Sequence, residues 1–139
     1  MLNDVSIEQI RPQLTWQLRR DVLYPTEHLS AMQMEEDLDG WHFGAFYHDQ
    51  LIGVVSLFQD GDSFQFRKFA VRADMQGQKV GDMMLKHLIN FAVTGGGHTL
   101  WCNARLSATG FYLKAGFAHT GRFFSKNGFD YEILERPIP

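Results

Sequence analysis

The chain has 139 residues, 45% of them hydrophobic and 14% aromatic, and a formal net charge of -3. That length suits one domain over the whole chain, and the apolar content supports a self-sufficient core, which excludes a disordered polypeptide. The mild acidic balance leaves no basic footprint for DNA or RNA, and no apolar run reaches the roughly 18–20 residues that span a bilayer.

The first thirteen residues, MLNDVSIEQIRPQ, are polar and carry no apolar signal core. One cysteine, Cys102, precludes an internal disulfide and fits a reducing compartment. These features lead to the expectation of a soluble, cytoplasmic protein with no membrane and no nucleic-acid partner.

Val5 to Ile10 reads as a short first strand. The stretch RPQLTWQLRRDVL follows as a helix, with Pro12 at a first helical position and Leu14, Leu18 and Val22 at i, i+4 and i+8. Pro25 breaks it, and a second short helix fits Ser30 to Leu38. From Trp41 the period changes to two: WHFGAFY, LIGVVSLFQ and SFQFRKFAV are strands separated by the turns HDQ and DGD. Trp41 to Val71 therefore reads as an antiparallel meander. Next, Val80, Met83 or Met84, His87 or Leu88, and Phe91 line one face of a helix of about four turns, which the glycines of TGGGHT end. HTLWCNA is a strand, and strand–helix–strand of this length implies a parallel pair with a right-handed crossover. SATGFYLKA is a short helix with Gly116 placed as its C-terminal cap. FAHTGRFFS and FDYEILERPI close the chain as a hairpin around KNG. The fold class is α+β: a mixed sheet of about six to seven strands with about four helices, made of a meander, a central βαβ crossover and a C-terminal hairpin.

The strand-to-helix turn VRADMQGQKVGDMM carries Gly77 and Gly81, with Gln76 and Lys79 around them. A phosphate needs N–H groups aimed at it, and a helix N-terminus supplies them with a favourable dipole. Glycine lets the main chain approach closely, Gln76 adds a donor and Lys79 a positive charge. Taken alone, two glycines at such a turn more often serve a structural corner. The pattern is neither the dinucleotide fingerprint nor the P-loop.

About thirty residues downstream stands NARLSATGFYLKAGF. With the turn QGQKVG, this order resembles the GNAT superfamily of acetyl-CoA-dependent N-acyltransferases. That family carries a Q/R-x-x-G-x-G/A turn after its fourth strand, an Asn-bearing fifth strand and a helix with an F/L-Y-x-x-x-G-F signature. The resemblance covers about Trp41 to Pro137. It implies acetyl-CoA as acyl donor, no metal, and a small-molecule or peptide primary amine as acceptor. It places Gln76 at the Q/R position and Gly81 at the final G/A position, while Lys79 stands where the family has glycine. It further implies cofactor contacts from Phe69, Ala70 and Val71, whose backbone would pair with the pantetheine arm. The turn Gln76, Gly77, Gln78, Lys79, Val80, Gly81 and Asp82 would hold the pyrophosphate, and Asn103 would bond the arm. Tyr112 would sit at the thioester sulfur as the catalytic proton donor.

Read by spacing alone, Tyr112 also fits a core aromatic and Asn103 a cap for the helix near Ser107. The general base is open: Glu35, Glu36, Asp37 and His42 are candidates, with a solvated helix face as the default for the acidic run. Arg67 and His119 could border the acceptor pocket. Cys102, inside the apolar TLWCN, reads as buried and inert, and the histidines show no metal spacing. The competing function is a non-catalytic acyl-CoA-binding module, and a homodimer through the last strands fits small domains of this kind.

Overall fold

In the computed structural model, which describes residues 2–139, seven strands form one mixed sheet in the order β1-β2-β3-β4-β5-β7-β6. They are β1 (Val5–Ile10), β2 (Trp41–Tyr47), β3 (Gln50–Asp60), β4 (Ser63–Val71), β5 (Thr99–Arg105), β6 (Ala118–Lys126) and β7 (Phe129–Pro137). The α-helical segments are α1 (Trp16–Leu18), α2 (Val80–Thr94) and α3 (Thr109–Lys114), and short 3₁₀ turns fill much of the remainder. The α+β expectation holds, with the meander, the β4–α2–β5 crossover and the closing β6–β7 hairpin in their expected places. The chain folds as two compact units, one running to Phe58 and joined by Arg67–Leu88, the other made of Gln59–Phe66 and Ile89–Pro139.

In the first unit β1 pairs antiparallel with β2 from Val5↔Tyr47 to Ile10↔His42, and β2 pairs antiparallel with β3. The β2–β3 turn is two left-handed residues, His48 at φ +48° and Asp49 at φ +63°, the conformation that matches strand twist in tight hairpins. Leu18, Val54 and Ala70 form a buried cluster, with Ile10, Val22, Leu23 and Leu51 packed against it. Gly53 lets α2 lie close on β3, because a Cβ there would meet Met84 Sδ at 2.6 Å.

The helix expected over 11–23 is one helical run of changing pitch: 3₁₀ over Pro12–Thr15, α over Trp16–Leu18 and π over Arg19–Leu23. The apolar stripe is accordingly imperfect. Leu18 is buried but Leu14 is 41% exposed, because a first turn of three residues rotates Leu14 away from the stripe that a 3.6-residue period would give. The second expected helix is two 3₁₀ turns, Leu29–Met32 and Glu35–Asp39.

In the second unit β4 and β5 are parallel from Ser63↔Thr99 to Gln65↔Trp101. β5 pairs antiparallel with β7, and β7 with β6. α2 stops at Thr94, and Gly96 at φ +84° turns the chain out of it. Gly97 packs under Phe64, where a Cβ would come within 2.7 Å of the ring. Gly116, left-handed at φ +92°, donates its N–H to the Leu113 carbonyl at 3.1 Å and closes α3 as expected. The core of this unit is Phe64, Phe66, Ala92, Leu100, Cys102, Ala104, Tyr112, Phe117 and Leu134.

Candidate functional site

The end of β4 leads into the glycine turn within the first unit. Lys68 interrupts the strand at φ +56°, and its ammonium donates to the Tyr24 hydroxyl at 2.7 Å and lies 4.5 Å above the Tyr24 ring. A left-handed residue breaks the regular pleat just ahead of Phe69, Ala70 and Val71. The Arg72 N–H ties the strand end to the Ile52 carbonyl at 2.8 Å. Gln76 does not project outward as a free donor. Its amide nitrogen folds back onto the Val71 carbonyl at 2.9 Å, so it braces the turn.

The two glycines serve different ends. Gly77 has φ +80°, with open space where a Cβ would point, so its role is conformational. Gly81 lies inside α2, where the right-handed backbone does not require glycine. Lys79 takes the family's glycine position and takes glycine's conformation with it, at φ +67°. Its carbonyl accepts from the Met83 N–H at 3.1 Å, which makes it the residue capping α2. A lysine side chain has no acceptor and cannot itself cap the helix's first N–H groups. Its exposed ammonium lies 3.7 Å from Asp82 Oδ2.

The N-terminal candidates for the base divide. Glu35 and Glu36 are exposed, and Glu36 forms a surface ion pair with Arg67 at 3.3 Å. Arg67 is thereby engaged, and it also lies 5.9 Å over the Phe58 ring. Asp37 corrects the expectation of a solvated face. It is buried, and its two oxygens accept from buried Arg19 Nη2 and Nη1 at 2.9 and 3.0 Å, with the Met34 N–H on Oδ2 at 3.0 Å. Burial alone would raise the Asp37 carboxyl, but the bonds from Arg19 and Met34 and the guanidinium charge hold it below its ordinary value.

Arg19 also donates to the Met32 carbonyl and to Ser56 Oγ, at 2.8 and 2.9 Å. His42 completes the network, with Nε2 2.7 Å from the Asp37 carbonyl and Nδ1 2.7 Å from Ser56 Oγ. A carbonyl only accepts, so Nε2 carries a proton, and in the neutral ring Nδ1 accepts from the serine. Both Asp37 and His42 line a cleft of about 420 Å³ bordered by Gln9, Arg11 and Gly40. Their hydrogen-bonding capacity is spent inside the network, which makes them framework rather than base.

Tyr112, in the second unit, is 9% exposed. Its ring packs against Phe111, Phe66 and Phe117 at centroid distances of 5.2, 5.6 and 5.8 Å. Burial, and secondarily the charge Cys102 would carry, pushes the phenol above its ordinary value, so it stays protonated across neutral pH. Cys102 is buried and burial pushes its thiol up to about 12, in line with an inert thiol. Asn103 is exposed on β5, opposite Ile133. It does not cap the following helix: Arg105 and Ala108 occupy the cap positions, and neither makes a side-chain cap bond.

His119 is joined to a residue that the sequence did not flag. Its Nδ1 lies 2.8 Å from Oε1 of Glu132, whose Oε2 accepts the Gly121 N–H at 3.1 Å. Hydrogen bonds from His119 and the bulge backbone, working against burial, hold the Glu132 carboxyl below its ordinary value. In DYEILERP a glutamate reads as a solvent-facing strand residue, and only the pairing register reveals that it shares the inward row with Leu134. Among the described residues no group of three or more His, Cys, Asp or Glu could hold a metal ion, and no helix is long and apolar enough to cross a membrane.

The protein-family description "Acetyltransferase (GNAT) domain" matches residues 6–132. An uncharacterized N-acetyltransferase of Bacillus subtilis strain 168, YitI, is 27% identical over 139 residues, 94% of this chain and 93% of its own length. A putative N-acetyltransferase of Lactobacillus plantarum superposes with a TM-score of 0.87 at 18% identity, covering 99% of this chain and 100% of that one. A GNAT family acetyltransferase of Elizabethkingia anophelis, solved with acetyl-CoA bound, superposes with a TM-score of 0.79 at 21% identity, covering 99% and 100%. The strand order, the glycine turn ahead of α2 and a match over nearly the full length all lead to one assignment: the chain belongs to the GNAT acetyltransferase family.

Proposed function

We propose that this protein transfers an acetyl group from acetyl-CoA to a primary amine by direct attack. The observation that carries the reading is the turn ahead of α2. Gly77 and Lys79 are both left-handed, Gln76 is tied back to Val71, and the first N–H groups of α2 have no side-chain cap at Lys79. A helix N-terminus approached through such a turn suits an anion, and the pyrophosphate of CoA is one. The acetyl-CoA bound in the Elizabethkingia anophelis relative supports the same donor.

In this reading Gln76 to Asp82 hold the pyrophosphate. The backbone of Phe69, Ala70 and Val71, beyond the last β4–β5 pair at Gln65↔Trp101, bonds the pantetheine arm, as does Asn103. The Val71 N–H faces the oxygen that becomes negative as the amine attacks. Tyr112 keeps its proton at neutral pH and gives a hydrogen bond to the departing thiolate. Holding the two reactants together supplies much of the rate.

Calorimetry with acetyl-CoA and CoA on the wild type and on Gly81→Trp tests this. Position 81 lies within the right-handed α2, so the variant is expected to keep its circular dichroism, and an indole there would block a phosphate held by this turn. Micromolar binding lost in the variant is the expected result. No binding by folded wild type defeats the proposal. Binding without turnover of any amine, unchanged by Tyr112→Phe, would favour a non-catalytic acyl-CoA-binding role.

A further inference from the structure

β6 departs from β7 in one place. Between the pairs His119↔Leu134 and Phe123↔Glu132 it takes four steps while β7 takes two. The extra residues wrap the Glu132 carboxylate. Gly121, left-handed at φ +74°, aims its N–H at Oε2. Thr120 Oγ1 donates to the Ile133 carbonyl at 2.5 Å and accepts the Arg122 N–H at 3.1 Å, which fixes the loop. Glu132 is left only 2% exposed, while the side chain of its other partner, His119, is 57% exposed.

A buried carboxylate is costly, and at this strand position an apolar residue would serve stability as well. What the carboxylate does is orient a ring. It can only accept, so neutral His119 carries its proton on Nδ1 and presents a bare Nε2 to solvent. This is how a carboxylate prepares a histidine base in a hydrolytic triad. The dyad is linked through Phe117 to Tyr112, in the same unit. Phe117, two residues before His119, packs on the Tyr112 ring at 5.8 Å and donates its N–H to the Tyr112 carbonyl at 3.1 Å. Glu132 pairs with Ala104 and Leu134 with Cys102, so Glu132 shares a buried face with the thiol whose charge would bear on Tyr112. Cys102 and Tyr112 both stay neutral at pH 7. Arg105 on β5, Arg122 and Lys126 on β6, and Asp130, Tyr131, Glu135 and Arg136 on β7 are the other titratable groups on the three strands around the dyad.

We propose that His119, oriented by Glu132, is the general base that takes the proton of the acceptor amine, an assignment that rests on the acetyltransferase reading. The amine nitrogen bonds to the thioester carbonyl carbon, its proton passes to His119 Nε2, and the C–S bond breaks with its electron pair on sulfur. The thiolate leaves in a hydrogen bond from Tyr112, and His119 returns its proton to solvent.

Four primary amines serve as probes: a polyamine, an arylalkylamine, an aminoglycoside and a peptide with a free N-terminus. For the amine that reacts best, His119→Gln lowers kcat by about a hundredfold and removes the low-pH limb of the rate profile, while KM for acetyl-CoA stays within about twofold. Nitrogen-15 NMR shows the neutral ring of wild-type His119 protonated at Nδ1, and Glu132→Gln shifts that tautomer. If none of the amines reacts, acetyl-CoA hydrolysis is compared instead, with water as the nucleophile, and the same loss is expected. Equal rates and unchanged profiles for His119→Gln, or a proton found on Nε2, overturn the proposal. Calorimetry keeps the two levels apart: a wild type that does not bind acetyl-CoA defeats the acetyltransferase reading itself, whereas normal binding with an indifferent His119→Gln defeats only the dyad.

Discussion

Lys79 shows what the glycine turn demands. A residue with a Cβ pays about 1–2 kcal/mol to be left-handed, and lysine sits at φ +67° all the same. The conformation is imposed by the turn, because Gly77 on one side and the first turn of α2 on the other leave the chain no other path. Lys79→Gly should therefore raise the unfolding free energy by about 0.5–1 kcal/mol, the relieved strain less the extra entropy that glycine loses on folding. Lys79→Val should lower it, since a β-branched residue resists positive φ more strongly. Urea denaturation of the three proteins decides, and a glycine variant less stable than wild type would mean that the ammonium, through Asp82, contributes more than the strain removes.

Among elements, the helical run from Pro12 to Leu23 is held less by its apolar stripe than by Arg19. That side chain ties the run to the Met32 carbonyl, to Asp37 in the next 3₁₀ turn and to Ser56 on β3. Removing one partner of a buried, hydrogen-bonded pair leaves the other charge uncompensated, so Asp37→Ala should cost about 3–5 kcal/mol. The pH dependence follows from the lowered Asp37 carboxyl. In the unfolded chain it titrates near 3.9, and in the folded protein below that. The stabilisation is complete above about pH 4 and is lost as pH falls through the folded value. Urea midpoints measured from about pH 6 down to pH 2 should fall steeply for the wild type and more gently for Asp37→Asn, which starts lower. Parallel curves would show that Asp37 is not what acid attacks.

At the level of the whole chain, the order of elements was legible because each carries its own period. Alternation marks β2 to β4, a four-turn apolar face marks α2, and His48–Asp49 and Asn127–Gly128 mark tight left-handed turns. The glycine turn was legible as a turn because glycine and a helix start say something local. The N-terminal third was not, since short 3₁₀ turns have no durable period and their place is set by a polar network whose members lie far apart in sequence. Asp37 looked solvent-facing in an acidic run, and only its contact with Arg19, eighteen positions earlier, reverses that. Glu132 was hidden for the same reason: its surroundings come from strand register and a bulge, neither of which spacing encodes. That bulge has a consequence for behaviour in a crowded solution. β6 ends the strand order and is an edge, with Phe123 on it 64% exposed, a combination that invites another chain to add a strand. The detour through Thr120, Gly121 and Arg122 breaks the row of unpaired N–H and C=O groups in its middle. An incoming strand then has only short, out-of-step stretches on either side to grip, so this edge resists runaway polymerisation while leaving its aromatic side chains in view.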